Sequence, residues 1–250
     1  SAFALKVKTQ NNMTMKKVRT TKAAAPTTAR TAAKAAAAPA AVKKPNARDL
    51  QKEATRNAIL QAALQIFSEH GFEGGSTRDI AARAKVHHAL IKYYFKSKEA
   101  LWKEAVTYLF VRQAEELAFS PPPGALESSK GRREHAQEVL RRVVLYSAHH
   151  PEHARLMVQE SVRDSKRLRW AADTYIKRTG QAAASLVSLL QKENMLPPHV
   201  SPVALIYIIV GAAQLFYTLA PEVRRVWGID PDQPEAIEAH VEALLAVFTR

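Results

Sequence analysis

From about residue 50 to the end of the chain, apolar side chains return every three or four positions, and no segment reads as a convincing strand, so an all-α body is predicted. In "EATRNAILQAALQIFSEHG", Ile59, Ala63, Ile66 and Phe67 fall on one stripe, and Gly71 is placed to end the helix. "STRDIAARA" reads as a short second helix. Ser76 or Thr77 caps it, Asp79 suits the positive end of its first turn, and Ile80, Ala81 and Ala84 form its apolar side. A break near Lys85 and Val86 leads to a third short helix over about 87–94. A fourth starts at Ser97, with Glu99 early in it, and runs to about Phe119. "SPPPGALESSKG" is then a loop.

The later helices are longer. "REHAQEVLRRVVLYSAHH" stops before Pro151, which opens "PEHARLMVQESVRD" at a first-turn position where its missing N–H costs nothing. "SKRLRWAADTYIKRTGQAAASLVSLLQKENM" is predicted as one long amphipathic helix. It is followed by "SPVALIYIIVGAAQLFYTLA", a Pro- and Gly-containing interval, and "QPEAIEAHVEALLAVFTR". Pro202 to Ala220 carries no charge, close to the length of a membrane span. Its glycine, glutamine, alanines and hydroxyls fit better with a helix buried on all sides, including at a subunit interface, and no membrane is predicted.

Composition changes the picture at the N-terminus. Of the net charge of +14, residues 1–48 supply +11 (eight lysines and three arginines) and contain no acid. The stretch "KKVRTTKAAAPTTARTAAKAAAAPAAVKKP" has too few large apolar groups to offset the entropy of ordering and is predicted disordered. It is similar to the Ala-Lys-Pro tails of linker histones. It reads either as a sequence-independent DNA arm acting by counterion release or as a solvated leader. "AFAL" is too short to be the core of a secretory signal, and Met13 or Met15 is read as a natural start. The expected organisation is a tail over 1–48, a DNA-binding domain over 49–98 and a larger helical domain over 99–250. The chain has no cysteine, so disulfide and thiolate chemistry are excluded, and a reducing cytoplasm fits.

The densest chemistry lies in "KVHHALIKYYFKSKEALW", Lys85 to Trp102. Three short helices with a tight break between the second and third suggest a helix-turn-helix, whose second member enters the major groove. Val86, Leu90 or Ile91, and Phe95 are predicted to anchor it. His87, His88, Lys92 and Tyr93 are then left outward, able to donate to or stack on bases and phosphates. Lys96 and Lys98 follow at a helix N-terminus that suits a phosphate. Adjacent histidines point about 100° apart on a helix, so His87 and His88 cannot chelate one ion from a single turn. His149, His150 and His153, with Glu152, are read as a polar corner between helices, with a surface zinc or nickel site or a pocket mouth as alternatives. No metal, cofactor or enzyme activity is predicted, since no nucleophile elbow or glycine-rich phosphate loop occurs.

The motifs "AIL.AAL.IF...GF", "T.RDIA..A.V" and "YYF.SKE.L", in that order over Arg56 to Trp102, resemble the DNA-binding domain of the tetracycline-repressor (TetR) family of bacterial regulators. That resemblance implies an N-terminal three-helix helix-turn-helix domain with a C-terminal ligand-binding and dimerisation domain. By position it implies contacts to DNA from Thr77, Arg78, His88, Ala89, Lys92, Tyr93, Tyr94 and Lys98. The chain departs from the family pattern at Lys85, where glycine is usual, at Leu90 and at Lys92, so either a slightly altered turn or a left-handed Lys85 under mild strain is expected, and the operator sequence does not follow from the resemblance. The resemblance further implies an inducer cavity, for which Met157, Glu160, Ser161, Trp170, Tyr175, Tyr207, Gln214 and Tyr217 are the candidates. Tyr207, Gln214 and Tyr217 are expected to share a face. A homodimer is expected through helices at about 201–219 and 234–250, with Ile237, Val241, Leu244, Leu245 and Phe248 as an apolar stripe. The implied partners are double-stranded DNA with a palindromic operator and an unknown small-molecule inducer. The implied role is a ligand-responsive, cytoplasmic, nucleoid-associated repressor. A nucleoid-type architectural protein dominated by its basic tail is the alternative.

Overall fold

The helix boundaries follow from capping chemistry that the chain supplies at nearly every turn. In the computed structural model, which describes residues 46–118 and 121–249, no strand occurs among the described residues. The first helix, α1 (Ala47–Gly74), starts six residues before the predicted segment, because Asn46 accepts a hydrogen bond from the Asp49 amide at 2.9 Å and so caps it. Its regular part ends at Gly71, whose φ of 70° breaks the helix where the sequence predicted. Ser76 caps α2 (Thr77–Arg83), its Oγ accepting from the Asp79 amide. Lys85 then adopts φ 54°, the left-handed one of the two conformations expected of it, and leads into α3 (Ala89–Phe95). Replacing Lys85 by glycine is expected to raise stability by up to about 1 kcal/mol in chemical denaturation, since an L-residue in the left-handed region costs about 1–2 kcal/mol and glycine's larger unfolded-state entropy takes back part of that.

Ser97 caps α4 (Lys98–Glu116), which runs out of the three-helix group. After a short 3₁₀ turn (Ala125–Glu127) come α5 (Ser129–His149) and α6 (Pro151–Ser161), separated at His150 as Pro151 requires. The predicted long helix is interrupted: α7 (Lys166–Ala171) passes through a π turn (Ala172–Ile176) into α8 (Lys177–Lys192). The uncharged segment forms α9 (Pro202–Thr218). The interval after it, read from sequence as irregular, contains α10 (Ala220–Trp227), closed by a left-handed Gly228. Last is α11 (Pro234–Phe248). The chain bends by 72° between α9 and α10, and no single described helix is long and apolar enough to cross a membrane.

Two main apolar clusters organise the body. One joins α1–α4 to α6 and α7 around Ile59, Phe67, Ile80, Leu101, Trp102 and Leu156, all fully buried. The other joins α5, α9 and α11 around Val144, Ala213, Tyr217 and Val241. This corrects one expectation. Ile237, Val241 and Leu244 pack inside their own subunit, as do Leu245 and Phe248 at the edge of the same cluster. The stripe that periodicity reveals is therefore an intramolecular face.

Candidate DNA-contacting face and effector region

The two short helices α2 and α3 expose polar side chains on one side of the three-helix group. Ile91 and Phe95 anchor α3 in the first core cluster, with Val86 packed against it. The remaining side of the turn and helix exposes His87, His88, Ala89, Lys92 and Tyr93. Tyr93 is 68% exposed although it is large and aromatic. Arg78 on α2 is exposed beside this face, and Thr77 Oγ1 lies 3.0 Å from His88 Nε2, tying the start of α2 to the start of α3. His87 Nδ1 accepts from the Ala89 amide at 3.3 Å. Tyr94 is half-buried and turns away, its hydroxyl donating to the Lys52 carbonyl of α1 at 3.4 Å. Lys98 is also occupied: its Nζ donates to the Glu73 carbonyl at 3.2 Å and stands 4.7 Å from the centre of the Phe72 ring. Of the nine residues predicted to face DNA, six are exposed and Thr77 is half-buried against His88, while Tyr94 and Lys98 hold the three-helix group together. The tail lies outside the described residues up to residue 45.

A joint connects this group to the larger helical body. Phe72, just past the α1 break, is covered on a second side by the Arg167 guanidinium of α7, 3.8 Å from the ring centre. Arg167 also donates to Glu160 of α6 at 3.0 Å and lies 3.8 Å from Glu73 and from Glu99. Glu160 is buried and accepts a second hydrogen bond from Ser165. On the same helix, Gln159 donates to the Ser68 carbonyl of α1 at 2.7 Å, and Arg155 donates to the Tyr217 and Thr218 carbonyls that end α9, at 3.0 and 3.1 Å. One face of α6 thus holds the exit of α9 and the exit of α1. No sequence signal singles out Arg155, Gln159 or Arg167, since their partners are backbone carbonyls, a ring and carboxylates on other helices.

A buried polar cluster sits where α4, α5 and α6 meet. His153 Nδ1 lies 2.9 Å from the Tyr146 hydroxyl, and Arg112 donates to Glu152 at 2.6 Å. His150 Nε2 reaches Glu116 at 2.9 Å. Burial holds the His153 imidazole down to about pKa 3 and pushes the Tyr146 phenol up to about 12. Burial alone would raise the Glu152 pKa, but hydrogen bonds from His150 and Arg112 outweigh it and hold the carboxyl below its usual range. The "HHPEH" stretch is therefore a polar helix corner, and among the described residues no three His, Asp or Glu side chains are placed to hold a metal ion.

The eight residues predicted to line an inducer cavity separate. Met157, Glu160, Trp170 and Tyr175 gather near α4, where Trp170 packs edge-on to Trp102 at 6.0 Å and Tyr175 stacks on Phe110 at 4.8 Å. Tyr217 is buried elsewhere, its hydroxyl 3.0 Å from His240 Nδ1. Ser161 is exposed and Gln214 is half-buried. Tyr207 is 75% exposed, against 1% for Tyr217, so the expected shared face is corrected: ten residues along a helix bring the two side chains to different sides. A cavity of about 140 Å³ instead lies between α5, α8 and α9, and none of the eight lines it.

Comparison with known proteins agrees with this architecture. Residues 59–105 match the family described as bacterial regulatory proteins, tetR family, and residues 133–247 match a tetracyclin repressor-like C-terminal domain. The chain is 30% identical over 189 residues to the HTH-type transcriptional regulator RutR of Escherichia coli, covering 75% of this chain and 85% of that one. It is 31% identical over 125 residues to the HTH-type transcriptional repressor NicS of Pseudomonas putida, covering 48% and 54%. Among solved structures, AibR in complex with isovaleryl coenzyme A and operator DNA superposes with a TM-score of 0.60 at 16% identity, over 78% of this chain and 98% of that one. The ketosteroid regulator KstR2 of Mycobacterium tuberculosis gives 0.57 at 16% identity, over 78% and 95%. With both halves of the body matched and a long relative at this identity, the chain belongs to the TetR family of helix-turn-helix transcriptional regulators.

Proposed function

We propose that the protein is a cytoplasmic, nucleoid-associated repressor that binds a palindromic operator as a homodimer and leaves it when a small molecule binds the helical body. The observation that carries the DNA half is the exposed polar and aromatic face of α3, held against α2 by buried Ile91 and Phe95 and carrying a large ring in water. Support for the homodimer is an unpartnered apolar surface. Val203, Tyr207, Ile208 and Leu215 on α9 are exposed, as is Leu219 just after it, and Ala239, Ala243 and Val247 are exposed on α11. Two copies of these helices make a four-helix interface, and twofold symmetry then sets two recognition helices about one turn of DNA apart.

Support for ligand response is the chain of contacts through α6. A ligand that favours one position of α9 acts on Arg155, hence on α6, and through Gln159 and the Glu160–Arg167–Phe72 contacts on the exit of α1. It shifts the spacing of the recognition helices by its differential affinity for the two arrangements. AibR, by its description, is seen with both an acyl coenzyme A and operator DNA.

The test is selection from a pool of random duplexes by the full chain and by a variant lacking residues 1–44. Both forms are expected to enrich one palindrome. The removed segment holds ten lysines and arginines and no acid, and each cation that neutralises a phosphate adds about 0.9 to the slope of log affinity against log salt. Truncation is therefore expected to flatten that slope by several units and weaken binding to any duplex by on the order of 100-fold at low salt. Binding without enrichment, lost with the tail, would instead identify an architectural DNA-binding protein.

A further inference from the structure

The cavity between α5, α8 and α9 has a chemistry of its own. Its walls are hydrocarbon, including Val139 and Val143 from α5, Leu186 and Leu190 from α8, Ile209 from α9, and Phe248. No charged side chain lines it, and its one hydroxyl belongs to Thr249. At about 140 Å³ it is close to the ~150 Å³ apolar cavities that stay dry and accept a guest of about six carbon atoms. Only its Thr249 end is polar. Thr249 Oγ1 accepts from Gln137 Nε2 at 3.2 Å, and the Thr249 carbonyl accepts from the Arg133 guanidinium at 3.1 Å. Arg133 is exposed and makes no ion pair with an acid among the described residues. The cavity is also placed to act: Ile206, Ile209 and Val210 turn one side of α9 into it, while Val203, Tyr207, Ile208 and Leu215 leave the other side exposed.

The geometry points to a short-chain carboxylate as the effector, its hydrocarbon body of about five or six carbons in this cavity and its carboxylate at Arg133 and Gln137. This assignment rests on the ligand-responsive reading above and adds to it a site and a chemical class. Hydrocarbon walls select against polar and heterocyclic ligands, whose donors and acceptors would be left unpaired there. The small volume limits chain length, and the Arg133 guanidinium at the Thr249 end selects an anion over an amine of the same shape. A guest that fills the space fixes α9 against α5 and α8, and α9 carries both the exposed apolar face and the Arg155 contact to α6.

The experiment is calorimetric titration of the full-length protein with butanoate, hexanoate, decanoate and hexylamine, alongside operator binding with and without each. Hexanoate is expected to bind best. Butanoate should be weaker on the order of tenfold, from about fourfold per buried methylene. Decanoate and hexylamine should be weaker by at least about as much, through size and charge. Ala183→Leu, which places a larger side chain in the cavity wall, is expected to abolish hexanoate binding while retaining operator binding, and Arg133→Gln to remove the preference for hexanoate over hexylamine. Hexanoate should weaken operator binding by the native chain but not by Ala183→Leu. Absence of binding by all four probes at millimolar concentration, with operator binding intact, overturns the assignment and leaves the regulator reading standing. Equal binding by Ala183→Leu overturns the site. Tight hexanoate binding by a protein that enriches no palindrome keeps the ligand assignment and rejects the regulator reading.

Discussion

Replacing Lys92 and Tyr93 together by alanine is expected to leave the unfolding transition in place and to lower operator affinity by at least about 30-fold. Both side chains are exposed, and neither contributes to the core that holds α3, so their removal costs little stability. Contacts made by a recognition helix are typically worth about 1–3 kcal/mol each, and a symmetric dimer on a palindrome loses each of them twice. The two substitutions separate by salt dependence. Lys92→Ala should flatten the salt slope by about one unit per half-site and weaken all duplexes alike, whereas Tyr93→Ala should relax base preference with little change in slope. Fluorescence anisotropy on the selected palindrome and on a scrambled duplex, across a salt series, reads both. Unchanged affinity in the double variant would place the DNA contacts elsewhere and reject the α3 face.

The three-helix group was legible because its information is local. Gly71, Ser76, Ser97 and Lys85 each mark a boundary through their own backbone or side chain, and each does so in the structure. The outward set on α3 was legible for a related reason: a seven-residue helix has one buried side, and Ile91 and Phe95 define it. Beyond residue 99 the apolar pattern becomes ambiguous. An apolar stripe on α11 states that the helix buries one face, but it is equally satisfied by α5 and α9 of the same chain as by a second subunit. The π turn at Ala172–Ile176 leaves no mark in a 3.6-residue pattern because it adds a single residue to one turn. Polar aromatic residues point to Trp170, Tyr175 and Tyr217, yet the cavity between α5, α8 and α9 is lined largely by valines, leucines and isoleucines that read from sequence as ordinary core. A cavity is a failure of residues to fill space, and that depends on helix separation, which no single helix encodes.

The same dependence on distant partners gives the buried cluster of α4, α5 and α6 the second large effect. Glu152→Gln is expected to destabilise the protein by about 3 kcal/mol, lowering the thermal midpoint by about 10 °C, because it leaves the partly buried Arg112 guanidinium without its counter-charge. Glu116 sits near His150 rather than Arg112 and does not replace that charge. His153 adds a pH signature. Its pKa is held at about 3 in the folded chain, against about 6.5 when exposed, so below pH 6.5 the unfolded chain takes up a proton that the folded chain refuses. Stability is therefore full above pH 6.5 and falls on acidification, by about 2 kcal/mol at pH 5 from this group alone. The lowered Glu152 pKa adds a further loss only below about pH 4.5, where the unfolded carboxyl protonates first. Denaturant titrations at pH 7.5, 6 and 5 read the His153 contribution by itself. His153→Gln should be less stable at pH 7.5, because the contact with Tyr146 is altered, but flatter between pH 7.5 and 5. A native chain whose stability does not change over that interval would mean that His153 protonates in place, with Tyr146 turning to accept from it, and that the corner between α5 and α6 is open to water.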